Sequence, residues 1–336
     1  WWVSMMGLSF PILLLLVICF FFGWLLLLKF NLIFISLVAL GLGYKSIAVF
    51  IGFNAPLTFA ADSGGRSIRV VSWNVARFIE LARNNNQGST TRKKMLSLLK
   101  EQRADILCLQ EFYTSENPAF YDNIRAIQQA LGFRYYYFPY DKDGDRNYYS
   151  SIIFSKFPIV DSSFLRYPRP SQPEALVQAD IKVGSDTIRF FTTHLQSQRF
   201  DKVDYWRMEK IKSREDSLVY HSIPLVAKLK RGIVIRSMQA DIIDQVRNNS
   251  PYPVVITGDL NDVPNSYTYF KVRGSLKDAF LEKGYGIGRT FRSLSPTLRI
   301  DYIFTDPRFS VAQFKREKKN YSDHYMIVAD IRRSRP

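Results

Sequence analysis

The chain has 336 residues and a mass of 39.0 kDa, with 46 Lys and Arg against 30 Asp and Glu, three His and two Cys. Hydrophobic residues make up 47% and charged residues 23%, a balance that excludes disordered and collagen-like chains. Two cysteines cannot build a disulfide framework. Only two basic residues, Lys29 and Lys45, and no acidic residue lie in 1–53, which leaves a net charge of +14 on the remaining chain. A basic surface favours polyanions such as nucleic acid, anionic lipid headgroups or phosphorylated small molecules, and a solvated surface without a partner is equally consistent.

The N-terminal segment has the composition of a membrane anchor. Residues 1–28 carry no charge, and 8–28 is a nearly unbroken run of Leu, Ile, Val and Phe, longer than the roughly 20 residues that a spanning helix needs. A second apolar run follows over 32–53, and Lys45 within it can reach the interface from near a helix end. We therefore predict an integral membrane protein with a transmembrane segment over 1–53, made of two helices at about 5–28 and 32–53.

A secretory signal peptide is the rival interpretation of the first run. Trp1 is not an initiator methionine and the run exceeds the usual apolar core of such a peptide, so we expect a membrane span and a native start that precedes Trp1. Lys29 between the two runs competes with the basic residues that follow the second, and the sequence does not indicate which side of the membrane carries the rest of the chain.

The residues after the anchor predict one mixed domain. Small polar residues at 61–66 indicate a linker, which we place at 54–66, and 67–336 contains no internal repeat. Helix-like patterns occur at 91–102, 119–131 and 236–247. Apolar runs rich in Val, Ile and Phe predict strands at 68–75, 105–110, 151–155, 175–183, 187–194, 253–258, 300–305 and 325–331.

Most of these runs end in polar residues that a strand does not need. A single Asp or Asn after a strand is usually a turn former or a helix cap. Together, however, they supply oxygens that can hold a hard divalent cation and two imidazoles that can move protons. Strand ends on one edge of a sheet face a shared cleft, so we expect one site. The residues are Asn74, Gln110, Glu111, His194, Asp259, Asn261, Asp301, Asp323 and His324. The third histidine, His221, lies in a polar helix-like stretch, and we expect it at the surface.

The same endings form an ordered series of motifs. They read VVSWNV at 70–75, DILCLQE at 105–111, THL at 193–195, GDLND at 258–262, RIDYIF at 299–304 and SDH at 322–324. This order resembles the signature of the endonuclease/exonuclease/phosphatase superfamily over residues 66–333, and the apolar N-terminus resembles a bacterial membrane-anchored subgroup. The resemblance implies an α/β (α+β) fold, a four-layer αββα sandwich of two mostly antiparallel sheets preceded by the transmembrane helical hairpin. It makes 67–336 the catalytic domain.

The resemblance also assigns roles to single residues. Asn74 and Glu111 would bind the metal, with Asp323 as an additional acidic ligand, and the metal would be Mg²⁺ or Mn²⁺, which suit carboxylate and amide oxygens. Asp259 and Asn261 would orient or deprotonate the attacking water and hold the phosphoryl oxygens. Their spacing of two residues projects both side chains in one direction from an extended backbone.

The two motif histidines complete the implied catalytic set. His324 would contact the scissile phosphate as a cation or proton donor, and Asp301 would hold its other ring nitrogen and raise the imidazole pKa. His194 corresponds to a second histidine of the deoxyribonuclease, sphingomyelinase and 5-phosphatase branches, which argues against a dedicated abasic-site repair enzyme.

The sequence therefore predicts a membrane-anchored, divalent-metal-dependent phosphoesterase, of the phosphodiesterase/nuclease or the lipid/inositol phosphatase type. Its substrate would be a phosphate ester of nucleic acid, a phospholipid headgroup or an inositol phosphate, attacked in line by water. The bilayer is the expected partner of 1–53, and no obligate protein partner is evident. The alternative hypothesis is a non-catalytic, membrane-tethered module that binds a phosphorylated ligand or a protein in the same cleft.

Overall fold

The computed structural model describes residues 1–55, 58–60, 67–78, 89–168, 175–198, 200–213 and 218–334. Most of the linker predicted at 54–66 lies outside the described residues. The helices are α1 Trp2–Leu26, α2 Phe30–Leu42, α3 Tyr44–Phe50, α4 Thr90–Gln102, α5 Asn123–Leu131, α6 Lys202–Lys212, α7 Leu218–Asn248, α8 Tyr267–Arg273 and α9 Ala279–Lys283, with a 3-10 turn at Ala76–Phe78. The strands are β1 Gly52–Phe53, β2 Ile68–Asn74, β3 Ile106–Ser115, β4 Tyr135–Tyr137, β5 Asn147–Ser155, β6 Ile159–Arg166, β7 Ala175–Val183, β8 Asp186–His194, β9 Val254–Asp259, β10 Lys277–Asp278, β11 Tyr285–Gly286, β12 Asp301–Thr305, β13 Phe309–Glu317 and β14 Met326–Arg333.

Two six-stranded sheets form the body of the molecule. The first sheet has the order β13-β14-β2-β3-β5-β4, and the second sheet has the order β10-β12-β9-β8-β7-β6. One central pair in each sheet is parallel, β2 with β3 and β8 with β9, and the other neighbours are antiparallel. The prediction of two mostly antiparallel sheets is confirmed.

Three apolar layers hold this sandwich together. The layer between the sheets joins inward side chains such as Val70 and Ile106 to Val177 and Phe190. Outside the first sheet, Met95 and neighbouring residues of α4, together with α5, cover β2 and β3. Outside the second sheet, α7 and α8 cover β8, β9 and β12. Each fully buried Val, Ile or Phe side chain contributes roughly 1.5–3 kcal/mol relative to exposure, and the result is the predicted four-layer αββα sandwich.

Local signals fix the ends of the covering helices. Ser89, Asp122 and Ser266 precede α4, α5 and α8, and each side chain accepts a hydrogen bond from a backbone N–H of the first turn. Such caps satisfy donors that a helix leaves unpaired. Gly132 ends α5 with φ 75°, in the left-handed region that glycine tolerates.

The strands at the sheet edges depart from the apolar-run prediction. Each of the eight predicted runs overlaps a strand, but the edge strands β4, β6, β10 and β13 of the two large sheets fall outside the runs, as do the two-residue strands β1 and β11. Most residues of β6 are exposed. An edge strand is covered on fewer sides, so it does not need the continuous apolar run that identifies a central strand.

The N-terminal segment folds as helices that pack together. α1 is long and apolar enough to cross a membrane. α2 and α3 meet at a bend of 61° beside Gly43, so the single helix predicted at 32–53 is divided. Glycine is a weak helix former and a common position of kinks. A second span therefore exists only if the bent pair acts as one.

The apolar helices contact the sandwich at several points. The Ser4 hydroxyl accepts a hydrogen bond from the Tyr267 backbone N–H at 3.3 Å, and Asn265 donates to the Ser46 carbonyl at 3.3 Å. A Cβ on Gly7 would lie 2.2 Å from the Asn265 carbonyl oxygen, so this approach requires glycine. Val49 is buried in the layer outside the second sheet. The apolar helices therefore pack against the segment that follows β9.

The surface position predicted for His221 is wrong. Its side chain is buried, and its ring makes edge contacts with Trp206 at 5.1 Å and Tyr220 at 5.4 Å between ring centroids. A histidine ring shielded by two aromatic rings behaves as a packing residue, which its polar sequence neighbours did not indicate.

Candidate active site

One edge of the two sheets collects the polar ends of the central strands. In the first sheet Asn74 of β2 pairs with Gln110 of β3. In the second sheet Asp259 of β9 lies between His194 of β8 and Asp301 of β12. The parallel pairs place their carboxyl ends on the same side, so the polar side chains converge in one cleft.

The backbone at this edge adopts conformations that single out particular residues. The β3–β5 ladder contains a bulge between Leu109 and Phe112, and Glu111 within it has φ 48°. Asn261 has φ 50°, and Gly258 has φ 145°, where a Cβ would lie 2.0 Å from the Thr193 carbonyl oxygen. Bulges redirect side chains, and left-handed non-glycine residues cluster at functional sites because surrounding contacts must maintain them.

Asp259 is the hub of the cleft. Its Oδ2 accepts a hydrogen bond from Asn74 Nδ2 at 3.1 Å, and it lies 3.6 Å from His194 Nε2 and 3.5 Å from His324 Nε2. Its Oδ1 accepts from the backbone N–H of Asn261 at 2.8 Å. The Asn261 amide nitrogen, in contrast, donates to the Leu195 carbonyl at 3.0 Å and so ties the two strand ends together. The structure thus brings both motif histidines to one buried carboxylate.

His324 is fixed by Asp301. Its Nδ1 lies 2.9 and 3.1 Å from the two Asp301 carboxylate oxygens, and its ring packs on Phe291 with centroids 4.9 Å apart. Thr290 accepts the Asp301 backbone N–H through its hydroxyl at 3.1 Å. Burial alone would lower the pKa of His324, but the carboxylates of Asp301 and Asp259 outweigh it and raise that pKa well above its ordinary value. The ring is therefore an oriented imidazolium at neutral pH.

The pKa of Asp259 is also raised, and burial is the largest cause. Its burial and the neighbouring Asp301 carboxylate raise its pKa to about 6, against the opposing effect of His324 and His194. A carboxylate that is ionised at neutral pH but far more basic than a free aspartate is suited to accept a proton.

The carboxylates of the cleft favour the binding of a divalent cation. In the described ion pairs Glu111, Asp259 and Asp301 face only the two imidazoles and no Lys or Arg. Glu111 Oε1 lies 3.6 Å from His194 Nε2, and its side chain retains 28% of its exposure, so it is open to the cleft. Within the described residues, Asp259, Asp301 and His324 form the group whose potential ligand atoms lie within 4.8 Å of one another. Because His324 is protonated and engaged with Asp301, a cation is left to carboxylate oxygens, and the open Glu111 carboxylate is of the type that Mg²⁺ or Mn²⁺ prefers.

Two of the predicted metal ligands are placed less directly. Asn74 turns its amide nitrogen, not its oxygen, towards Glu111 at 3.2 Å, and its Oδ1 accepts from the Ala76 N–H at 3.1 Å. Asp323 is partly exposed and adds to the field that raises the pKa of His324. The metal-ligand roles of Asn74 and Asp323 remain predictions.

Buried polar residues behind the cleft support these side chains. Gln110 joins the two sheets, because its amide donates to Thr192 at 2.8 Å and to Ser72 at 3.2 Å. Arg236 of α7 donates to the Gln196 carbonyl at 3.0 Å and to Asp262 at 3.2 Å, so it ties the turns after His194 and Asp259 to one helix.

Several residues that position the site are not among the site residues predicted from the sequence. Thr290 and Phe291 lie in the loop before β12, where no pattern marks them. Ser322 belongs to the SDH motif, and its hydroxyl donates to the Asn74 carbonyl at 2.8 Å and accepts the His324 N–H at 3.2 Å. Its position two residues before the histidine is the one signal that could have identified it.

Comparisons with known proteins agree with this geometry. A family model described as Endonuclease/Exonuclease/phosphatase family matches residues 71–324. An endonuclease/exonuclease/phosphatase from Beutenbergia cavernae DSM 12333 superposes with a TM-score of 0.58 at 19% identity, over 80% of this chain and 72% of that one. Truncated TDP2 of Caenorhabditis elegans gives 0.55 at 20%, over 81% and 100%, and TDP2 of D. rerio complexed with single strand DNA product gives 0.54 at 16%, over 79% and 98%. Among curated proteins, none matches. At these identities the likeness to solved structures shows a common fold.

Proposed function

Because the chain belongs to the endonuclease/exonuclease/phosphatase family, we propose that it hydrolyses a phosphate ester with the help of Mg²⁺ or Mn²⁺. The observation that carries the proposal is the convergence of both motif histidines and Asn74 on Asp259, within 3.6 Å. A buried carboxylate of raised basicity beside an oriented imidazolium is the pair that in-line attack by water requires.

We assign the proton and charge chemistry to these residues. Asp259 accepts the proton of the attacking water, and the backbone of Asn261 fixes the carboxylate from the opposite side. His324, oriented by Asp301, neutralises charge that develops on the phosphoryl oxygens. His194 lies between Asp259 and Glu111 and supplies a second donor to the same oxygens.

The metal would be held at the open side of the cleft. Glu111 would be the principal ligand, with Asp323 and the Asn74 carboxamide as further candidates, and the Asn74 amide would have to turn its oxygen towards the ion. When bound, the ion supplies Lewis-acid stabilisation of the phosphoryl group and of the leaving oxygen. Glu111→Gln tests this assignment, because it keeps the side-chain shape and removes the charge.

We further propose that the apolar helices anchor the enzyme in a membrane. α1 is a 25-residue apolar helix, and most of its large apolar side chains are exposed. Such a surface favours a lipid environment. An enzyme tethered in this way searches the membrane surface at high effective concentration. One structural neighbour was solved with single strand DNA product, so nucleic acid belongs to the substrate classes to be tested together with phospholipid headgroups and inositol phosphates.

The test is a substrate panel with the full chain in detergent or nanodiscs. Plasmid DNA, RNA, sphingomyelin and inositol phosphates are incubated with Mg²⁺, Mn²⁺ or EDTA. We expect turnover of at least one class, dependent on the cation, and its loss in His324→Ala. Asp145→Ala is the matched control, because Asp145 is exposed and distant in sequence from every motif. Binding of a phosphorylated ligand without turnover would instead support the non-catalytic module.

A further inference from the structure

The junction between the apolar helices and the sandwich contains two clefts of opposite character. The chain leaves α3 at Phe50 and immediately forms β1, which pairs with β11. α9 lies beside this junction and contributes Phe280 and Lys283 to one cleft and Leu281 to the other. The two clefts are therefore bounded by the same short helix.

The first cleft is basic. It has a volume of about 170 Å³, and Lys283, Lys315, Arg316 and Lys318 line it. Phe59 forms part of the wall, and the Lys315 ammonium lies 4.6 Å from the centroid of its ring. A cleft with four cations and an aromatic wall has the composition of an anion-binding site.

The charge of this cleft is mostly uncompensated. Lys315 pairs with Glu317. Arg316 donates to the backbone carbonyl of Arg289, and none of the described ion pairs gives Arg316, Lys283 or Lys318 a carboxylate partner. Cations that converge without a counter-charge repel one another, so an anion bound among them relieves an electrostatic cost.

The second cleft is apolar. It has a volume of about 350 Å³, and Ile47, Ala48 and Ile51 of the α3 region line it together with Phe53 and Leu281. Its walls come from the part of the chain that leaves the membrane helices. Phe53 and Tyr285, which pair across β1 and β11, are 73% and 66% exposed, as aromatic side chains at a membrane interface often are.

We propose that this junction binds one anionic phospholipid, with the phosphate headgroup in the basic cleft and the start of an acyl chain in the apolar cleft. The proposal rests on the proposed membrane anchoring, because only an anchored chain places the clefts at the level of the headgroups. Basic side chains next to a membrane helix attract anionic lipids, and an apolar cleft beside them favours an amphiphile over a free phosphate ion. The site lies outside the candidate active site and shares none of its catalytic residues.

The test measures lipid binding by the full chain in detergent with native mass spectrometry. Phosphatidylglycerol and phosphatidylcholine with identical acyl chains are titrated separately. We expect tighter binding of phosphatidylglycerol, and we expect Lys283→Gln/Lys318→Gln to weaken it by roughly 30-fold, or about fivefold for each charge. Both lysines are exposed, so the variant should fold. Lys93→Gln/Lys94→Gln removes two exposed charges from α4, which lines neither cleft, and should leave the affinity unchanged.

Further arms distinguish the sources of the anion. Ala48→Phe fills the apolar cleft and should weaken both lipids, but not glycerophosphoglycerol, which lacks acyl chains. Equal affinity for the two lipids, an equal loss in the α4 control, or complete displacement of the lipid by inorganic phosphate would overturn the proposal. Hydrolysis is measured in the same preparations. Turnover that persists without lipid selectivity refutes only the lipid site, and lipid selectivity without turnover refutes only the proposed enzyme.

Discussion

Asp301 should determine the protonation of His324, and Asp301→Asn tests this directly. The asparagine oxygen can still accept the Nδ1 proton at the 2.9 Å position, so the ring stays oriented while the negative charge is lost. A hydrogen bond to a charged group contributes about 1.5–3 kcal/mol, and one pKa unit corresponds to about 1.36 kcal/mol. We therefore expect Asp301→Asn to remove about 1.5–3 kcal/mol of imidazolium stabilisation and to lower the pKa of His324 towards its ordinary value.

The sign of the effect on stability follows from the raised pKa. Protonation of His324 stabilises the fold fully below its ordinary pKa of 6.5, and this contribution is lost as the pH rises through the raised value. Asp301→Asn should therefore lower the free energy of unfolding most at acidic pH, and the difference from the unchanged protein should narrow as the pH rises.

The assay is NMR titration of ¹³C-labelled histidine in the full chain with EDTA present. The chain has three histidines, so His194→Gln and His221→Gln assign the His324 signal. Asp323→Asn is the control, because Asp323 is partly exposed and the smallest of the influences that raise the pKa of His324. It should shift the titration in the same direction by less. An unchanged or raised His324 pKa in Asp301→Asn would show that the Asp301 charge does not control the protonation of this ring.

Three further expectations concern the scaffold. Gly258→Ala should lower the free energy of unfolding by about 3 kcal/mol or more, because its Cβ would meet the Thr193 carbonyl at 2.0 Å; a loss below about 1 kcal/mol in urea unfolding would contradict this. Arg299→Met should cost about 3–5 kcal/mol, since it leaves the buried Asp278 carboxylate, 2.6 Å from the guanidinium, without its partner; an unchanged Tm would show that the pair is dispensable. Burial raises the pKa of the Cys108 thiol to about 12, so this thiol should resist maleimide in folded Cys19→Ser protein and react in denaturant. Rapid labelling of the native protein would place the thiol outside the core.

Much of the fold follows from the sequence because central strands are apolar on both faces. The run at 253–258 ends at Asp259, and the structure places that residue at the end of a fully buried strand. The convergence of the polar strand ends could be predicted for the same reason, because a polar residue directly after such a run stands out. The pairing of His324 with Asp301, implied by the family resemblance, is present as two contacts near 3 Å.

The remainder depends on contacts between segments that are distant in the chain. The bulge that gives Glu111 its φ of 48° belongs to the β3–β5 ladder, and no residue in the motif predicts a bulge there. Thr290 positions Asp301 from a loop without a pattern. The packing of Gly7 against Asn265 joins residues far apart in the sequence. Such features are set by tertiary geometry, which local periodicity does not encode.

The assignment of this cleft as the catalytic site is tested most directly by the rate of phosphate ester hydrolysis by Asp259→Asn. The asparagine has the same shape and can still accept the Asn261 N–H, but it cannot accept a proton from water. With the substrate class that the panel identifies and with saturating Mg²⁺, we expect the rate to fall by a factor of about 10³ or more, with the fold retained by circular dichroism. Hydrolysis within about tenfold of the unchanged protein would contradict the assignment of this cleft as the catalytic site.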